Sequence, residues 1–234
     1  MKPKKKKTHV GLYGDGIGAV EYVSHMGDDL TIVNSARVSF GVEKKKLDAK
    51  DKKLIKYLIS HRHTSTLEHC TVTFRFTVPL FIRSQHHRHR TWSYNEISRR
   101  YTEFNLQFYE PKMFRTQHKS NRQASNVDNK IGGGVIEGYV KEHHKKCVGL
   151  YETLLEAGVC REQARGVLPQ NLYTQYYGTA NLNNLLKFID LRLHEGAQWE
   201  IQEVAKAVLT IIEELFPVTV ESYREIRHGE VKED

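Results

Sequence analysis

The sequence predicts a helix-dominated α+β domain with a small sheet, and three observations carry that prediction. Cys70 to Val78 alternates apolar Val72, Phe74, Phe76 and Val78 with Thr71, Thr73, Arg75 and Thr77, the pattern of a half-buried strand. Ile201, Val204, Ala205, Val208, Ile211, Ile212 and Leu215 follow the 3, 4, 7 spacing of an amphipathic helix, and several other segments show the same period less fully. A chain of 234 residues with 39% hydrophobic content can bury a core, and it contains no internal repeat.

Taken in order, residues 1–8 read as a flexible basic tail, Met1-Lys2-Pro3-Lys4-Lys5-Lys6-Lys7 lacking the apolar stretch of a secretory signal. Gly14, Gly16 and Ala19 match a dinucleotide-binding glycine pattern, but no buried strand precedes them and Val20 to Val23 reads as a short strand, so a mobile glycine turn is expected. Residues 29–41 read as a helix with Leu30, Val33, Ala36 and Val38 on its apolar face, and Asp51 to Ser60 as a clearer one. After the strand, Pro79 suits the first position of a helix that Leu80, Phe81 and Gln85 continue. Residues 115–134, rich in Ser, Asn and Gln, read as a surface loop insertion or a partly disordered stretch. Helices follow around Val148 to Leu155, stopped near Gly158; over Arg161 to Leu168, stopped by Pro169; through Leu182 to Ile189; and through Ile201 to Leu215, stopped by Pro217. One domain over 9–225 and a C-terminal tail over 226–234 complete the expected organisation.

The formal net charge is +8, from 36 Lys and Arg against 28 Asp and Glu, and its placement says more than its size. The lysines of residues 1–7 hold five of those charges, and residues 83–100, with Arg83, Arg88, Arg90, Arg99 and Arg100 against Glu96, hold four more. The remainder is close to neutral. No apolar run approaches the roughly 20 residues of a membrane span, and Cys70, Cys147 and Cys160 are too few and too scattered for a disulfide framework, so a soluble, cytoplasmic protein is expected.

Residues 85–101 set arginine and histidine among Thr91, Trp92, Ser93, Tyr94, Asn95, Ser98 and Tyr101, with almost nothing aliphatic, so packing does not account for the stretch. The planar arginine fork suits phosphate oxygens, and serine and asparagine add neutral donors. Arg88-His89-Arg90, followed after seven residues by Ser98, resembles the RHR-x7-S signature of the flavin-dependent (ThyX) thymidylate synthases. The resemblance extends through Ala36-Arg37-Val38-Ser39, His61 to His69, Ala164 to Pro169, Leu191-Arg192 and Ala197-Gln198-Trp199-Glu200, covering about residues 19 to 216.

That resemblance implies an α+β domain with a mostly antiparallel sheet, and reductive methylation of dUMP to dTMP. The carbon comes from 5,10-methylenetetrahydrofolate and the hydride from FAD that NADPH has reduced. It implies FAD contacts from Ser65, Arg88, His89, Arg90, Glu96, Asn181 and Lys187, and dUMP contacts from Gln85, Arg88, Glu96, Ser98, Arg99, Arg100, Arg165 and Arg192. Arg192 would face the pyrimidine and favour ionisation at N3, a catalytic role a fixed guanidinium can fill because it keeps its own proton. His63 would lie beside the flavin where folate or nicotinamide approaches. Lys187 and Gly196 stand where relatives often carry Asn and His. A homotetramer with sites between subunits is also implied.

Other readings of the same residues compete. None of the three cysteines lies in a recognisable motif that supplies an activating base or positive charge, so structural roles are expected rather than a nucleophile. The thirteen histidines show no recognisable ligand spacing, and arginines beside His86, His87 and His89 would repel a cation, so no metal is expected. The alternative from another class is a nucleic-acid-binding protein using the basic tail and the Arg, His and aromatic segment.

Overall fold

A computed structural model of the protein describes residues 8–101, 106–121, 124–132 and 134–228. The tail expected over residues 1–8 therefore lies, apart from Thr8, outside the described residues. The alternating segment forms β3 (Thr71–Pro79), and Val72, Phe74, Phe76 and Val78 are all fully buried, each burial worth roughly 1.5–3 kcal/mol. Antiparallel partners flank it on both sides, β2 (Ala19–Met26) and β7 (Tyr173–Asn181), while β1 (His9–Gly11) edges β2 and β4 (Ser93–Glu96) edges β7. The sheet runs β1-β2-β3-β7-β4, and every pairing in it is antiparallel.

Sequence reasoning does not find β7, although it lies next to the central strand. Its inward positions are Thr174, Tyr176, Gly178 and Ala180, too polar or too small to show an apolar alternation. Gly178 is there of necessity, since a Cβ would sit 2.9 Å from Cε2 of Phe76. The glycine run at 14–18 is a turn joining β1 to β2, with Gly14 and Gly16 at φ 67° and 76°, and it leads into a strand rather than a helix. Asp15 ties it, its Oδ1 accepting from the backbone N–H of Ile17 and Gly18 at 2.9 and 3.0 Å.

Helix α1 (Asp29–Arg37) begins at a capping box of Asp28 with Thr31, and α2 (Ala49–Ser60) at one of Asp48 with Asp51. Ile32 and Val33 are the apolar side chains that α1 buries, whereas Val38, expected on that face, follows in a 3-10 turn and is 74% exposed. Pro79 ends β3 and precedes α3 (Leu80–His86) at its N-cap, one residue before the expected first helical position. Within residues 115–134, expected as a loop insertion, the described residues form two strands: β5 (Phe114–Gln117) and β6 (Ser125–Ile131) pair as an antiparallel hairpin. Helix α4 (Val135–Glu156) ends as expected beside Gly158, at φ 83°, but the Arg161–Leu168 segment holds only one α turn, α5 (Arg161–Ala164), and a 3-10 turn.

Helices α6 (Leu182–Arg192) and α7 (Trp199–Leu215) pack their apolar faces with α1, α2 and the buried side of the sheet into one core. Pro217 does end α7, but it also opens α8 (Pro217–His228), so the C-terminal tail expected from 226 is still helix to 228. The N-terminus of α8 is held from far away in sequence. Asp29, buried in the first turn of α1, accepts from the backbone N–H of Val218 and Thr219 at 2.9 and 3.0 Å and from the Thr219 hydroxyl at 2.6 Å. Burial raises the pKa of Asp29 against the opposing pull of those donors.

Candidate active site

The cationic segment is partly core, which corrects the expectation that packing does not explain it. His86 is fully buried, its ring centroid 4.7 Å from Phe76, 4.5 Å from Trp92 and 4.8 Å from Phe188, and its Nδ1 is 2.8 Å from the Tyr176 hydroxyl. Burial pushes its pKa well below the ordinary histidine value, with neighbouring His89, His87 and Arg192 adding to the shift. Trp92 is buried too, and Tyr94 hangs its hydroxyl on the carbonyls of His86 and His89 at 3.0 and 3.2 Å. These inward rings fix the loop so that Arg88 and Arg90 face solvent.

At the end of the sheet where Pro79 faces Tyr173, a cleft of about 750 Å³ opens. It brings together Glu96, Ser98, Arg99, Arg100 and Arg165 of the expected set, and adds Arg83 and Glu162. Glu96 Oε1 accepts from the Thr174 hydroxyl at 2.6 Å and lies 3.3 Å from Nε of Arg83. Four guanidinium groups against two carboxylates make the cleft an anion receptor, and Ser98 and the Thr174 hydroxyl line the same cleft. Ser98 Oγ accepts from the Arg100 backbone N–H at 3.3 Å.

Gln85 and Arg192 lie elsewhere, in a second recess of about 490 Å³ between α3 and the segment joining α6 to α7. Arg192 donates from Nε to Nε2 of His89 at 3.0 Å and from Nη2 to the backbone carbonyl of Gln85 at 3.0 Å. Burial, then the Arg192 charge, lowers the pKa of His89 to about 4, and burial lowers that of Arg192. Behind Gln85 runs a part-buried chain that ends on buried Glu200. Its Nε2 donates to Gln198 Oε1 at 2.5 Å, Gln198 Nε2 donates to Glu200 Oε2 at 2.9 Å, and Nη2 of Arg115 donates to both Glu200 oxygens at 2.8 Å.

Of the residues expected at flavin, Glu96 lies in the arginine-lined cleft, whereas Asn181 stands toward the other end of the sheet, where Thr71 pairs with Asn181 and Ser93 with Thr179. His63 and Ser65 are exposed at the head of the 3-10 stretch leading into β3. Asn181 caps α6, its Oδ1 accepting from the Asn184 N–H at 2.9 Å, which leaves its amide N–H groups to donate elsewhere. Among the described residues Arg88, Arg90 and Lys187 are exposed and pair with no carboxylate, a donor set that fits a pyrophosphate. His89 is turned inward to Arg192 and Phe188. Cys70, buried with its thiol pushed up to about 12 by burial, donates to the Asp28 carbonyl at 3.6 Å and has the character of a structural cysteine.

Sequence reasoning gives no role to Arg83, Arg115 or Thr174. Arg83 is detectable as part of the same basic segment as Arg88, whereas Arg115 and Thr174 belong to strands whose existence the sequence hides.

Comparison with known proteins agrees with this geometry. The family model described as thymidylate synthase complementing protein matches residues 21–218. A flavin-dependent thymidylate synthase of Thermus thermophilus is 43% identical over 212 residues, spanning 89% of this chain and 76% of the relative. One from Thermotoga neapolitana is 43% identical over 206 residues, spanning 88% and 90%. Among solved structures, a UMP/dUMP methylase, PolB of Streptomyces cacaoi bound with 5-Br dUMP, superimposes with a TM-score of 0.81 at 32% identity, covering 93% of this chain and 98% of that one. A family match over most of the chain, joined to an arginine-lined cleft built from the signature segment itself, places the protein in the flavin-dependent thymidylate synthase family.

Proposed function

We propose that the protein methylates dUMP to dTMP, using 5,10-methylenetetrahydrofolate as carbon donor, with FAD as its flavin and NADPH as reductant. The observation that carries this reading is an arginine-lined cleft holding Ser98, Arg99, Arg100 and Arg165, in a chain that presents Arg192 in a second recess. A nucleoside monophosphate needs both: cations for the phosphate, and a fixed donor at the base. Two bonds, to His89 and to the Gln85 carbonyl, hold the Arg192 guanidinium, so it can meet a pyrimidine carbonyl without reorganising. Charge that develops on the ring as N3 releases its proton to solvent is stabilised there, and C5 becomes the more nucleophilic. When bound, FAD supplies the hydride that completes the methyl group. Arg88, Arg90, Asn181 and Lys187 would hold it, with Ser65 and His63 at its edge.

The relative that carries 5-Br dUMP supports a pyrimidine monophosphate as substrate. The nucleic-acid reading gains nothing from the structure, because Arg99 and Arg100 line a concave cleft together with Glu96 and Glu162. A cytoplasmic homotetramer is part of the proposal, and light scattering of active protein checks the assembly. Among the described residues no helix is long and apolar enough to cross a membrane. The deciding experiment is a dUMP-dependent NADPH oxidation assay with methylenetetrahydrofolate and identification of the nucleotide product. Absence of dTMP from flavin-loaded protein overturns the reading.

A further inference from the structure

We infer that Gln198 and Glu200 are positioning residues that fix how Gln85 faces the nucleotide, with Arg115 of the β5–β6 hairpin anchoring the far end of the chain. The inference rests on the proposed reaction and deepens it. Glu200 is 3% exposed, and both its oxygens are committed as acceptors. Oε1 takes the Tyr109 hydroxyl at 3.1 Å and Arg115 Nη2 at 2.8 Å, and Oε2 takes Arg115 Nη2 at 2.8 Å and Gln198 Nε2 at 2.9 Å. Arg115 is itself oriented, its Nε donating to the Ser125 hydroxyl across the hairpin at 2.8 Å and its guanidinium lying 5.3 Å from the Trp199 ring centroid.

The consequence is directional. A glutamine amide alone can turn over, exchanging its oxygen and nitrogen at little cost. A carboxylate beside an arginine can only accept, so Gln198 must turn its NH2 group toward Glu200. Its carbonyl oxygen then faces Gln85, and Gln85 must turn its own NH2 group toward Gln198, as the 2.5 Å bond records. Reversing either amide would set two oxygens or two NH2 groups against each other in a part-buried site. The Gln85 carbonyl oxygen is thereby left as an acceptor for a donor group of the ligand, in the recess where Arg192 supplies the complementary donor. The charge that dictates this orientation sits two side chains away from Gln85. The hairpin that supplies Arg115 thus takes part in substrate recognition through this chain, in addition to the Asn121 that its connecting segment places in the recess itself.

The test is a double-mutant cycle on flavin-loaded protein, Gln85→Met, Gln198→Met and both together, read as KM for dUMP and kcat, with flavin content and melting temperature alongside. Each single variant raises KM about tenfold with kcat within about twofold, and the double variant is no worse than Gln85→Met alone, because Gln198 acts only through Gln85. A KM unmoved by Gln198→Met, or a double variant about a hundredfold worse as independent effects would give, overturns the inference. If Gln198→Met fails to fold, Glu200→Gln takes its place in the cycle, since a neutral amide at 200 no longer dictates which way Gln198 turns. A wild-type protein that makes no dTMP is a separate failure, visible before any variant is made, and it removes the proposed reaction itself.

Discussion

Arg192 donates to Nε2 of His89 at 3.0 Å, so that nitrogen must stay bare and the neutral imidazole carries its proton on Nδ1. The second bond of Arg192, to the Gln85 carbonyl, reaches the last turn of α3. Two elements distant in sequence, α3 with its following loop and the end of α6, are thus joined through one guanidinium.

From this bridge, Arg192→Ala abolishes dTMP formation while flavin binding, followed by its absorption bands, stays near wild type. Arg192→Lys keeps the charge but cannot span two acceptors from a planar fork, and its turnover falls about 100-fold. Normal turnover in either variant would refute the assigned role.

The same bridge makes stability depend on pH. The folded pKa of His89 is about 4, below the roughly 6.5 of an unfolded histidine, so its contribution is fully present above about 6.5 and is lost as pH falls from there to 4. Buried His86 shifts in the same direction. Denaturation midpoints should therefore decline through that window, and the gap between wild type and His89→Asn should narrow as pH approaches 4. A gap that does not change with pH would contradict the linkage.

His86 is a core residue within a signature that looks entirely polar. His86→Ala empties a cage of Phe76, Trp92 and Phe188 and leaves the Tyr176 hydroxyl without its partner, so it should cost about 3 kcal/mol in chemical denaturation. Tyr176→Phe, which keeps the ring, should cost about 1 kcal/mol.

Arg165 comes to the cleft from the 3-10 turn after α5, and it is exposed with no carboxylate partner among the described residues. Arg165→Ala should raise KM for dUMP about tenfold and weaken its salt dependence, with kcat little changed, as removal of a phosphate contact requires. Deoxyuridine, lacking the phosphate, should not discriminate the variant from wild type.

How much of this the sequence disclosed follows from what each residue does. β3 was legible because its inward residues are all large and apolar, and α7 for the same reason on a helical period. β7 was not, because Gly178 leaves room for Phe76 and Trp92 and the other inward positions, Thr174, Tyr176 and Ala180, include no aliphatic side chain larger than alanine. The hairpin was hidden by its polar composition. The clefts divide likewise. Glu96 to Arg100 was readable as a contiguous motif, whereas Arg83 and Thr174 reach Glu96 only through packing. His86 misled, since a histidine surrounded by arginines in sequence turned out to be surrounded by aromatic rings in space.

The buried carboxylate of Asp29 has a consequence for the order in which the chain can take shape. The donors that satisfy it belong to residues 189 and 190 positions later. At roughly 5–20 residues per second of synthesis, that separation is about 10–40 s during which the first helix has left the ribosome and its capping partner has not. Until then the carboxylate is better left in water, and α1 has reason to stay undocked. β3 waits about half as long, because Asn181 and its neighbours in β7 must also be made before it has a partner on that side. The first helix to emerge is among the last pieces to settle, and whatever shields the nascent chain must shield it until nearly all of the fold has been translated.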